Sequence, residues 1–131
     1  RSMYVAKFVG NTNALPAKVK AINGDVIEAE SGGRVFRVDA NSMDLKTGSE
    51  AFLLIRPEAV DVRGLGESKN GALKGKVKLV TYLGEKVEYD LDVNGQEIKA
   101  VVADPQRGAM FAAGEEVAVN LPENRMSIVK G

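Results

Sequence analysis

The chain has 131 residues, with 18 Lys and Arg balancing 18 Asp and Glu, and it contains no His, Cys or Trp. That length suits one domain or two small ones sharing a core, and 44% hydrophobic content is enough to bury one. The composition excludes Ser-His-Asp and Cys-His catalysis, thiolate zinc sites and disulfides, and a net charge of zero argues against a dedicated nucleic-acid or anionic-membrane surface.

Absence of cysteine fits a reducing compartment. The longest apolar runs, Ala51 to Ile55 and Ala109 to Ala113, fall far short of a spanning helix or a signal-peptide core. Because the chain opens at Arg1, it reads as an excised piece of something longer or as a processed product.

In chain order, Ser2 is positioned to cap a short N-terminal helix carrying Met3, Tyr4, Ala6, Phe8 and Val9 and ending at Gly10-Asn11. Beyond Pro16 the period becomes two. Seventeen Val against ten Leu, with 14 Gly, favour strands joined by tight turns. Asn23-Gly24 and Ser31-Gly32-Gly33 predict hairpin turns, and Ala51 to Ile55 predicts a strand buried on both faces. Pro57 ends that strand because it lacks a ladder donor, and Val60 with Val62 predict one more short strand.

Residues 64–72 read as a linker loop. Strands then follow from Leu73 to Tyr82, from Val87 to Val93 and from Ile98 to Val102, turning at Leu83-Gly84 and Asn94-Gly95. Two short strands, Val117 to Leu121 and Met126 to Val129, close the chain.

The halves repeat. Lys18-Val19-Lys20 matches Lys76-Val77-Lys78, Gly33 matches Gly95, Gly48 matches Gly114, and Pro57-Glu58 matches Pro122-Glu123. The expected fold is all-β: duplicated OB-like barrel units packed together, about five strands each, after the short N-terminal helix. Residues 1–13 precede the first OB-like half, which takes 14–63, and 73–131 form the second. At roughly 60 residues neither half is comfortably stable alone, so the halves should pack together or trade strands.

Several look-alikes fail on spacing or context. Gly71 to Lys76 has too few residues between its glycines for a phosphate loop and leads into a strand. Ser31-Gly32-Gly33-Arg34 superficially matches an ATPase signature but precedes a strand instead of a helix. Glu88, Asp90 and Asp92 share a strand face and suit a hard cation on paper, yet the plainer reading pairs them with Lys74, Lys76 and Lys78 across a hairpin. Those lysines with Tyr82 and Tyr89 make a poor single-strand groove, since carboxylates interleave them.

Three stretches together resemble a known family. They are Tyr4 to Asn13, with Phe8, Gly10 and Asn13; Leu54 to Val60, with Arg56-Pro57-Glu58; and Gly75 to Tyr89, with Tyr82-Leu83-Gly84. They are similar, in order, to the transport-associated OB (TOBE) domain at the C-terminal end of bacterial ABC importer ATPase subunits. Polyamine-, ferric- and phosphonate-type relatives look closer than the maltose type.

The resemblance implies a non-catalytic regulatory and dimerisation domain, with no cofactor of its own; ATP and magnesium belong to the missing ATPase domain. It implies a homodimer in the parent, importer membrane subunits and a regulatory protein as partners, no nucleic acid, and a cytoplasmic place at the inner membrane face. The motif residues carry over as structural markers. A domain sensing a small oxyanion or a polyamine is the alternative, and a single-strand nucleic-acid module the third reading.

Overall fold

A computed structural model of the chain describes residues 11–67, 71–104 and 110–131. The expected N-terminal helix, with Phe8 and Gly10, lies outside the described residues. Within them there are ten strands, three single 3-10 turns and no α-helix. The strands are β1 (Asn13–Asn23), β2 (Val26–Ser31), β3 (Arg34–Asp39), β4 (Glu50–Ile55), β5 (Asp61–Gly64), β6 (Leu73–Leu83), β7 (Lys86–Val93), β8 (Gln96–Ala103), β9 (Glu116–Asn120) and β10 (Ser127–Lys130). They form two antiparallel sheets, ordered β10-β4-β1-β2-β3 and β5-β9-β6-β7-β8.

The turn chemistry explains two of the four described hairpins directly. Gly32 and Gly33 (φ 62° and 84°) and Asn94 and Gly95 (φ 53° and 82°) supply the two positive φ angles of a type I′ turn, whose twist matches that of the flanking strands. Both sheets then repeat one irregularity. The pairing of β1 with β2 slips between Val19 and Ala21, and that of β6 with β7 between Val77 and Leu79, leaving Lys20 and Lys78 as the extra residues of matching bulges. At each bulge the chain is held from its other side. Val19 N donates to Ser49 O (2.9 Å) and Gly48 N to Val19 O (2.8 Å); Val77 N donates to Glu115 O (2.9 Å) and Gly114 N to Val77 O (2.7 Å).

The chain nevertheless does not divide at the middle. One compact unit comprises Arg1–Arg56 with Glu123–Gly131, the other Pro57–Pro122. Strand β5 follows β4 in sequence but pairs with β9, while β10 follows β9 but pairs with β4. The halves 14–63 and 73–131 therefore trade their last strands, so repeated sequence and compact unit are different divisions of the chain. Residues 64–72 are not wholly a loop: Gly64 ends β5, and Leu65–Glu67 form a 3-10 turn.

Each unit has its own core. In the first, Leu15, Val19, Ile27, Phe36, Leu53, Ile55 and Ile128 are buried; in the second, Val77, Tyr89, Leu91, Ile98, Val117 and Val119 are. Gly75 lies where the second core admits no side chain, since a Cβ there would meet Val119 Cγ2 at 2.9 Å and Val93 Cγ2 at 3.1 Å. Gly75→Val is expected to lower stability by about 1–3 kcal/mol through overpacking, measurable by denaturant melts. Gly66→Val, where a Cβ meets nothing within 4 Å, serves as the tolerated control.

Candidate functional site

The motif residues fall into separate places. Asn13 opens β1 opposite Ile55 and is buried, and its Nδ2 donates to Ile55 O at 3.1 Å. It thereby fixes the end of β4 just before Arg56. Pro57 starts the 3-10 turn Pro57–Ala59, closed by Val60 N donating to Pro57 O at 3.2 Å. Pro57 is buried while Arg56 and Glu58 are exposed. Among the described residues the turn is held by that backbone bond and by the burial of Pro57, Ala59 and Val60 rather than by the charged pair.

The matching turn of the first unit is Glu123–Arg125, closed by Met126 N donating to Glu123 O at 3.1 Å. The two Pro-Glu pairs are thus one residue out of step, because Pro57 takes the place that Glu123 holds. The offset matters chemically: Glu123 Oε2 accepts from Arg37 N at 2.9 Å and so satisfies an outward amide of edge strand β3.

Tyr82, Leu83 and Gly84 form a second group, at the tip of the β6–β7 hairpin. Gly84 (φ 72°) makes the turn, and Tyr82 and Leu83 are exposed.

The cross-strand charges differ from the expected pattern. Of the three lysine–carboxylate pairs expected across β6 and β7, only Lys76 and Asp92 stand opposite each other. The bulge at Lys78 shifts the register, placing Leu79 opposite Asp90 and Thr81 opposite Glu88. Lys74 instead pairs with Glu116 on β9 at 3.3 Å. Lys99 on β8 takes both remaining carboxylates, with Nζ 2.9 Å from Asp90 Oδ1 and 3.2 Å from Glu88 Oε2. Counting from the Asn94-Gly95 turn places Lys99 opposite Asp90, so the signal for this pair lies in the turn rather than in the alternation of β6.

The Asp90 hydrogen bond chiefly, with help from Glu88 and against a smaller push from burial, holds the Lys99 ammonium above the ordinary lysine value of 10.5. A raised folded-state value means that this contribution is complete below 10.5 and lost as pH rises through the folded-state value. Lys99→Met is therefore expected to remove one contribution to stability, the one that fades above about pH 10.5. At pH 7 the effect should be small and salt-sensitive, because the Lys99 side chain is 45% exposed.

Beside these groups an open depression of about 340 Å³ is lined by Lys78, Asp90, Leu91, Asp92, Gly95 and Glu97. Both signs of charge line it. Among the described residues no group of three or more Asp or Glu is arranged to hold a metal ion, and no helix is long and apolar enough to cross a membrane.

Two repeated five-strand sheets exchanging terminal strands, with a polar surface of paired charges, define a duplicated β-module. Residues 53–129 match the family model described as the TOBE domain, and the chain belongs to that family. It is 29% identical over 122 residues to the spermidine/putrescine import ATP-binding protein PotA 2 of Pseudomonas aeruginosa, a match covering 89% of this chain and 34% of that protein. It is 31% identical over 119 residues to PotA of Rubrobacter xylanophilus, covering 88% and 31% respectively. It is 26% identical over 129 residues to the Fe(3+) ions import ATP-binding protein FbpC of Brucella suis biovar 1, covering 98% and 34%. The chain thus spans about a third of the length of these relatives. Among solved structures it resembles the molybdate-bound cytoplasmic molybdate-binding protein ModG, with a TM-score of 0.78 at 18% identity, over 94% of this chain and 99% of that one.

Proposed function

We propose that this chain is the non-catalytic regulatory and dimerisation domain of an ABC importer ATPase subunit. It positions two ATPase domains and docks a regulator, while ATP and magnesium bind to a portion of the parent that precedes it. The observation that carries this reading is the alignment of nearly the whole chain with a third of importer ATP-binding subunits, together with the family match. In such a subunit residues 1–13 are the end of the link from the ATPase domain. The partners are a second copy of the subunit and the importer's membrane subunits, and the place of action is the cytoplasmic face of the cell membrane.

Each sheet is read as a partly open OB-type barrel. Support comes from the first unit, where the turn Glu123–Arg125 lies against β3, the edge strand at the opposite end of the sheet order from β10. The exchange of β5 and β10 supports a positioning role, since neither unit is complete without chain from both halves. A regulator preferring one separation of two such modules biases turnover by that preference alone.

Excising the chain from the full-length subunit tests the reading. ATP hydrolysis should persist at high protein concentration, while regulated uptake is lost. Unchanged regulation would overturn it. A second reading, a small-oxyanion sensor, is favoured by the likeness to ModG across almost both chains. Calorimetry with molybdate, sulfate and phosphate separates the two, since saturable micromolar binding supports the sensor.

A further inference from the structure

Three exposed apolar side chains crowd the end of one hairpin. Leu79, Tyr82 and Leu83 are 53%, 67% and 48% exposed. Leu79 and Leu83 stand opposite Asp90 and Lys86, whereas Tyr82 stands opposite Val87 and so on the other face of the hairpin. Exposed apolar side chains therefore stand on both faces of the end, Leu79 and Leu83 beside Asp90, Glu88 and Lys86 and Tyr82 on the opposite face.

Among the described residues its edge is open as well. The ladder from β6 to β9 runs only from Leu73 to Lys76, so from Leu79 to Leu83 the described residues pair β6 with β7 alone. Leu83 and Lys86 flank a two-residue turn, so alternation directs the N–H and C=O groups of Val80 and Tyr82 outward. Native proteins usually blunt such an edge with charge or proline.

The first unit shows that the fold does not require this extension. Beyond its bulge the β1–β2 hairpin has three cross-strand pairs and ends in Asn23, Gly24 and Asp25, against five pairs in β6–β7. The two added pairs are the ones that bring Tyr82 and Leu83.

We propose that this hairpin end is the surface on which the ATP-binding portion of the same polypeptide packs, a groove there taking Tyr82 and Leu83 and offering backbone partners to Val80 and Tyr82. The inference rests on the proposed function above. Two observations select a tethered occupant. The chain is only 34% of a relative's length, so in this class a much larger neighbour is attached to it. The three side chains together offer on the order of 300 Å², well below the roughly 800 Å² per partner of a stable contact between free molecules. A tether giving an effective concentration of about millimolar makes so small a contact sufficient.

Hydrogen–deuterium exchange on the full-length subunit and on the isolated chain tests this. The Val80 and Tyr82 amides should exchange at least about tenfold more slowly in the full-length subunit. The paired substitutions Tyr82→Ser and Leu83→Ser should abolish that difference, with exchange at Tyr89 and Leu91 unchanged as evidence that the unit stays folded. Equal rates in the two proteins would overturn the proposal. So would protection in the isolated chain that grows with its concentration, which would assign the surface to a second copy. Equal rates are compatible with loss of regulation on excising the chain, so the two readings fail separately.

Discussion

Ending the chain after Pro122 is expected to unfold the first unit and spare the second. The deletion removes β10 and the turn before it, taking away the buried side chains of Met126 and Ile128 and exposing the edge of β4. Those two side chains contribute about 1.5–3 kcal/mol each on burial. The Glu123 contact to Arg37 N is lost as well. A unit of this size has only a few kcal/mol in reserve, so the loss exceeds what it can absorb. Amide exchange should show β1 to β4 unprotected while β6 to β9 keep their protection. Had each half kept its own last strand, the damage would fall on β6 to β9 instead.

Tyr89→Ala is expected to produce the largest single-residue effect, a loss of about 3–5 kcal/mol in the second unit. Tyr89 is fully buried on β7, and its ring meets Phe111 edge-on with centroids 5.9 Å apart. Its hydroxyl accepts from Phe111 N at 3.1 Å. Truncation therefore opens a cavity and also leaves a main-chain donor without its acceptor. Tyr89→Phe removes only the hydroxyl and should cost about 1 kcal/mol, so chemical denaturation of both variants separates packing from the hydrogen bond.

The ten strands were legible because their signals are local. Asn94-Gly95 and Ser31-Gly32-Gly33 turn the chain by backbone requirement, and β-branched residues alternate between them. Partner choice was not legible. Val62 in β5 and Ile128 in β10 belong to short strands of similar character, and nothing local says that each pairs with the other half.

Charge pairing failed for a related reason. One residue added at Lys78 moves every later residue of β6 in register, and alternation alone does not reveal it. The motif residues were found by resemblance. Among those described, Asn13, Pro57 and Gly84 then acquire a visible structural task, while Tyr82 and Leu83 stand exposed.

The role assigned to this β-module is most directly tested by sedimentation of the nucleotide-free full-length subunit, with and without residues 11–131. Under the proposed role, removing them weakens association by tenfold or more, because the contact they would supply between two subunits is lost. Identical dimer dissociation constants for the two proteins would contradict it.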